Sequence, residues 1–190
     1  MALVLSILPR IHITDVLSKL SKETLRIAKE MSLAHNIFVR TLNAIYLQAP
    51  NVSSPTDITD LLTYCQSWYE ALHHHHAAEE EYFFPAIEAY TGQKGIMETN
   101  LEQHAAFGVG VKLFKDYVYG IKAEEFDAAK LKGLIDAFGD TLQTHLKDEI
   151  PSLLDLDRYG GDRLAKAWVD LDKHVMESGM DKVCSSPVAL

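Results

Sequence analysis

A chain of 190 residues with 47% apolar content can bury one good core and is short for two. Its 18 lysines and arginines stand against 27 aspartates and glutamates, and a net charge of −9 opposes the phosphate backbone, which argues against nucleic acid or an anionic membrane as a partner. Cys65 and Cys184 are isolated, which excludes a thiolate zinc site and fits a reducing compartment. The apolar start Met1 to Leu8 is brief and lacks a basic flank, so a signal peptide is not favoured. No run approaches the ~18 apolar residues of a membrane span. The expectation is a soluble, cytoplasmic protein.

Glycine and proline are sparse and separate long segments of helical period. The first helix is expected from Ser21 to Gln48, with Ala28, Met31, His35, Phe38, Val39, Leu42 and Tyr46 on one stripe. Ser21 is its N-cap, Glu23 suits the positive end of the helix dipole, and Pro50 stops it. The second helix, Asp57 to Tyr90, carries Leu61, Cys65, Trp68, Leu72, His75, Glu79, Phe83 and Ala86 inward, and Pro85 is expected to kink it. The third, Met97 to Tyr119, faces inward through Asn100, His104, Phe107, Val111 and Phe114. The fourth, Glu125 to Leu154, does so through Leu131, Leu134, Phe138, Leu142, His145 and Glu149, with Pro151 expected to bend or end it. Gly160-Gly161 precedes a shorter helix, Asp162 to Ser178. The pattern predicts an all-α, up-down-up-down four-helix bundle over 21–155, with 1–20 and 160–190 as accessory segments of a single domain.

Imidazoles and carboxylates recur on these stripes at a spacing of four, which places both members of a pair on one helix face. His75-x-x-x-Glu79 and His145-x-x-x-Glu149, each with a proline downstream, echo one another. Helices two and four would then each present one imidazole and one carboxylate to the same place, and His35 and His104 add imidazoles from the other two. That is the donor set of a metal centre within a bundle, with two bridging carboxylates. A lone inward histidine is more often a satisfied core residue. Candidates on four helices, with no lysine or arginine on the stripes of Glu79 and Glu149, favour ligands. Glu80, Glu81 and Asp148 read as surface groups or as groups that orient histidines. Trp68, Tyr64 and Tyr82 read as core, and His12 and His174 as structural or exposed. His73 and His74 face solvent or a partner side chain.

The segments Ala34-His35-Asn36, His75 to Pro85, Asn100 to His104 and His145 to Glu149 resemble the haemerythrin-like (HHE cation-binding) family. The resemblance implies a four-helix bundle with a non-haem di-iron centre; manganese or zinc also suits such donors. It implies His35, His75, His104 and His145 as histidine ligands and Glu79 and Glu149 as bridging carboxylates. His76 with Glu80 is an alternative register of the second-helix pair, and the apolar stripe passes between the two pairs without deciding. Asn100 stands where the family places a further histidine, which leaves one metal ion a strong ligand short. Water, a substrate atom or dioxygen could fill that place, the second metal could bind weakly, or His76 could lean in. The resemblance implies binding and activation of dioxygen or peroxide, as an oxidase or oxygenase on a small apolar substrate walled by Trp68, Phe83, Phe107 and Phe138, with Glu79, Glu149 and Asn100 at the reacting centre. The other expectation is a non-enzymatic module for reversible oxygen or iron binding, sensing or storage.

Overall fold

The computed structural model describes residues 5–6 and 19–183, with side chains to residue 177. His12 and Cys184 lie outside the described residues. Helix α1 spans Lys22–Gln48, α2 Pro55–Ala78, α3 Phe84–Thr91, α4 Glu98–Gly120, α5 Ala128–Asp155 and α6 Gly161–Val183. No strand occurs among the described residues. Helix α1 packs on α2 and α5, and α4 packs on the same two, so these four close the ring of an all-α bundle. No described helix is long and apolar enough to cross a membrane.

The caps explain where the helices begin. Ser21 accepts from the Thr24 amide and Ser54 from the Asp57 amide, with Pro55 at the first helical position. Asp127 caps α5 by accepting from the amides of Ala129 and Lys130, three residues beyond the expected start, because Ala123–Glu125 forms a separate 3₁₀ turn. Pro151 does not end α5, which runs on to Asp155. Helix α4 approaches α5 closely at Gly110, where a Cβ would stand 2.7 Å from that of Phe138.

The largest departure lies at Pro85. In place of a simple kink downstream of the acidic cluster, residues Glu79–Phe83 form a π turn, closed by the Phe84 amide donating to the Glu79 carbonyl. A proline ring clashes with the carbonyl four residues before it, and a wider turn relieves that clash. The wide turn also rotates α3 about its axis, so Phe84 and Ile87 are buried where Ala86 was expected inside.

Two apolar clusters result. One holds Phe38, Leu42, Trp68, Phe107, Phe114, Phe138 and Leu142. The other holds Ile27, Met31, Phe83, Phe84, Met97, Leu153, Trp168 and Leu171, so α6 helps to build it by packing along α1 and α3. Trp68 anchors the first cluster by donating from its indole nitrogen to the Phe38 carbonyl at 3.1 Å. Tyr64 and Tyr82, expected in the core, are 45% and 41% exposed.

Asp157 ties the start of α1 to the connection before α6. It accepts from the Ser21 amide at 3.1 Å, the Ser21 hydroxyl at 2.5 Å and the Thr24 hydroxyl at 2.8 Å. Burial raises its carboxyl, but these three donors outweigh it and leave the acid below its ordinary value. A depressed carboxyl contributes stability above its unfolded pKa that is lost as pH falls. Asp157→Ala should therefore destabilise the protein by about 1–3 kcal/mol at neutral pH, and by less in acid. Urea unfolding at two pH values checks both statements.

Candidate metal centre

Each helix of the ring carries its polar residues between the two apolar clusters. On α1 the order is Met31, His35, Phe38; on α4 it is Met97, His104, Phe107; on α5 it is Leu142, His145, Glu149, Leu153. On α2, Leu72 precedes His75 and His76, and Glu79 opens the π turn before Phe83. The layer is buried: His35, His76, His104, His145, Glu79 and Glu149 are all enclosed, and the His75 side chain keeps 18% exposure.

Donor atoms in this layer gather into two quartets. One is His76, Glu79, His104 and His145; the other is His35, His75, Glu79 and Glu149. Glu79 belongs to both. Its Oε1 stands 3.0 Å from His75 Nε2 and its Oε2 3.7 Å from His104 Nε2, so the two oxygens face different quartets. Glu149 Oε2 also lies between the groups, 3.3 Å from His35 Nε2 and 3.9 Å from His145 Nε2. The Nε2 atoms of His35 and His75 are 3.2 Å apart, and those of His104 and His145 are 3.0 Å apart. Two nitrogens bound to one ion at about 2.1 Å stand about 3.0–3.4 Å apart.

Helix geometry explains why His75 and His76 both enter. At about 100° per residue, His75 lies roughly 60° to one side of Leu72 and His76 roughly 40° to the other, with Glu79 between them. Of the two registers left open by the sequence, His75 with Glu79 is present whole, whereas His76 enters without Glu80, which belongs to neither quartet. His76 supplies a third imidazole to the quartet of His104 and His145, its ring centroid 4.3 Å and 5.2 Å from theirs. Asn100 is buried one turn before His104, and the quartets of histidine and carboxylate donors are complete without it.

Outer nitrogens of three of the imidazoles are occupied, which directs their inner ones. His35 donates from Nδ1 to the Leu146 carbonyl at 2.8 Å, and His104 from Nδ1 to Glu80 Oε1 at 2.7 Å. His145 donates from Nδ1 to Gln103 Oε1 at 3.3 Å, and Gln103 in turn donates to Asp148 Oδ2 at 3.2 Å. With Nδ1–H committed, Nε2 carries the lone pair and points into the layer. Glu80 and Asp148 therefore orient histidines, as read from the sequence. Gln103 is the residue that sequence reasoning missed; its place on α4 between Glu102 and His104 carried no signal of its own.

Both oxygens of Glu79, both of Glu149 and His76 Nε2 are buried without a hydrogen-bond partner. Among the described residues the ion-pair partners of both carboxylates are histidines alone. Two buried carboxylates without a cation are costly, and divalent metal ions are the groups that carboxylate and imidazole together satisfy. The residues present fit such ions. Burial, then Glu149, then Glu80 push the Glu79 carboxyl well above the ordinary range. Burial, followed by His104, His35 and His75, pushes His145 down to about 2; burial and four neighbouring imidazoles push His76 down as well. Both imidazoles are thus uncharged at any ordinary pH, the form in which a histidine can hold a metal ion.

These shifts make the metal-free protein sensitive to acid. His75, pushed down by burial and then by His35 and His104, joins His145 and His76: all three bind protons when unfolded, below about pH 6.5, but not when folded until far lower pH, so stability falls as pH drops below that value. Each contributes a slope of about 1.4 kcal/mol per pH unit, and Glu79, with its raised acid, opposes them with one. Metal-free protein should accordingly melt at a markedly lower temperature at pH 5 than at pH 7, as thermal unfolding in chelator will show.

The aromatic lining differs from expectation. Phe38 lies 5.1 Å from the His75 ring, Phe107 5.1 Å from His76, and Phe84 5.8 Å from His104. Trp68 and Phe138 stack on each other within the first cluster, and Phe83 packs edge-on against Trp168 in the second. A cavity of about 180 Å³ lies between α2 and α4, and His76, His104, Phe107 and Gly108 line its inner end.

Residues 26–154 match the family described as the Hemerythrin HHE cation binding domain. The chain belongs to the haemerythrin HHE family. The matched span runs from the first turns of α1 to the end of α5 and takes in both quartets. The chain is also 36% identical over 153 residues to the dimeric xanthone biosynthesis cluster protein R11 of Cryptosporiopsis sp. (strain 8999), an alignment covering 80% of this chain and 58% of that protein. It thus spans under two thirds of that relative's length. No solved structure matches.

Proposed function

We propose that this haemerythrin-family protein is a non-haem di-iron oxidase or oxygenase that uses dioxygen or peroxide on a small apolar substrate. The observation that carries the reading is the pair of buried quartets sharing Glu79, with its set of orphaned oxygens. His76, Glu79, His104 and His145 would hold one ion, and His35, His75, Glu79 and Glu149 the other. Two such ions, when bound, supply Lewis acidity and electrons for reducing dioxygen or peroxide.

The chain's own residues supply the surroundings. Glu79 and Glu149 bring negative charge to both positions at once, offsetting the charge of two cations. Phe38, Phe84 and Phe107 exclude water from the imidazoles. Glu80 Oε1 holds the proton on His104 Nδ1 while the Glu80 side chain is 45% exposed, a connection from the layer to solvent. The cavity between α2 and α4 opens the His76 and His104 side to small molecules. Asn100 would keep a neutral amide beside that side and leave room for a reactant. A relative named for a dimeric xanthone biosynthesis cluster supports chemistry on a small organic molecule.

Elemental analysis of the untagged protein, with absorption spectra before and after reduction and re-exposure to air, tests the reading. About two irons per chain, with near-ultraviolet bands that bleach on reduction and return in air, is the expected result. Iron without any oxygen-dependent change would overturn the oxygen chemistry and favour a storage or sensing module.

A further inference from the structure

A second, larger groove of about 500 Å³ lies outside the metal layer, between α2, α4 and α6. It has the volume of an ordinary small-molecule site. Two ring pairs line it: Tyr69 stacked on His73, with centroids 5.6 Å apart and planes 11° apart, and Tyr82 tilted against His174, 3.5 Å and 31°. Its carboxylates are Glu70 and Glu81 and its lysine is Lys115. Tyr119 donates to Glu70 at 2.7 Å, whereas Glu81 and Lys115 form no ion pair among the described residues. Lys115 Nζ instead stands 5.4 Å from the centre of the Tyr69 ring.

Tyr69 and His73 also line the smaller cavity that ends on His76 and His104. The ring pair is therefore the wall common to groove and cavity. Flat rings favour a flat ligand stacked or edge-on against them. Carboxylates accept hydroxyl protons, and a lysine serves a hydroxyl or carbonyl oxygen. Two groove carboxylates and a net charge of −9 oppose a ligand with several negative charges.

Resting on the proposed function for its purpose, we infer that this groove binds a planar, uncharged phenol through the two ring pairs, with its hydroxyls on Glu81 and Lys115. The Tyr69–His73 wall is then the threshold across which one edge of the ligand reaches His76 and His104. The small apolar substrate becomes, more narrowly, an aromatic phenol whose body stays in the groove, since the inner cavity of about 180 Å³ has under half the groove's volume.

The test titrates a naphthalenediol, with its hydroxyls on opposite rings, into the full chain as isolated under nitrogen. The diol's fluorescence is followed, and metal content is measured on the same sample. Saturable binding is expected, with the matching naphthalene dicarboxylate bound at least about tenfold more weakly. Tyr69→Leu and Lys115→Met should each weaken the diol by about tenfold without changing metal content. Equal affinity for diol and dicarboxylate, or diol affinity unchanged in both groove variants, overturns the inference. Normal metal content with no diol binding overturns the inference alone. Diol binding with these variant effects in a protein that takes up no iron supports it, and the proposed function fails instead.

Discussion

Glu79→Gln should empty both metal positions while leaving the metal-free protein at least as stable as before. Each oxygen of Glu79 faces a different quartet, so loss of its charge removes a ligand from both at once. Changing groups that merely support a metal ligand costs about 10–100-fold in affinity, and loss of a shared ligand should exceed that. The metal-free protein responds in the opposite sense, because Glu79 is a buried carboxylate beside Glu149 with no cation to offset it. An amide of the same shape relieves that repulsion. Wild-type protein should gain about 2.7 kcal/mol for each ion bound when metal is present at a hundred times its dissociation constant, and the variant should gain nothing. Thermal unfolding with and without added ferrous ion reads both effects. A variant that retains two ions would show that Glu79 is not shared.

His76→Ala should halve the metal content. The quartet of His35, His75, Glu79 and Glu149 does not use His76, whereas the quartet of His104 and His145 loses its third imidazole. About one ion per chain should therefore survive dialysis, out of the two expected for a bundle of this kind. His76 also decides what Asn100→His should do. If His76 were not in the layer, a histidine at Asn100 would supply a missing ligand to wild-type protein. With the His76 ring 4.3 Å from His104, that place is filled, and Asn100→His alone should add no metal. In the His76→Ala background it should restore the second ion, since position 100 is buried one turn before His104 on the same helix. Failure of the double variant to regain metal would mean that position 100 does not face this quartet.

Much of this was legible in the chain because helical period is a local property. Ser21 and Pro50 bound α1 where a hydroxyl cap and a proline must, and the stripe Met31, His35, Phe38, Leu42 is buried as its spacing predicts. His35, His104, His145, Glu79 and Glu149 were each legible as inward polar residues for the same reason, and their convergence followed from four helices sharing one core. The start of α5 was less legible. Glu125 and Asp127 are both plausible starts, and beside the Asp127 side-chain cap it is the distant hydroxyl of Tyr117, bound to the Asp127 amide and carbonyl, that holds that turn in place.

Sequence alone therefore determined the class of fold, the helices that carry donors and the kind of ligand they offer, since each depends on periodicity and residue type within one element. Tertiary structure decided how those donors divide. His75 and His76 lie on the two sides of one stripe, and no feature of α2 chooses between them. They are both used because α1 brings His35 to one side while α4 and α5 bring His104 and His145 to the other. The commitment of Nδ1 in His35, His104 and His145 to Leu146, Glu80 and Gln103, and the groove that α6 closes beside Tyr82, likewise depend on residues distant in the chain. Contacts of that kind are set by how helices pack, which no local pattern encodes.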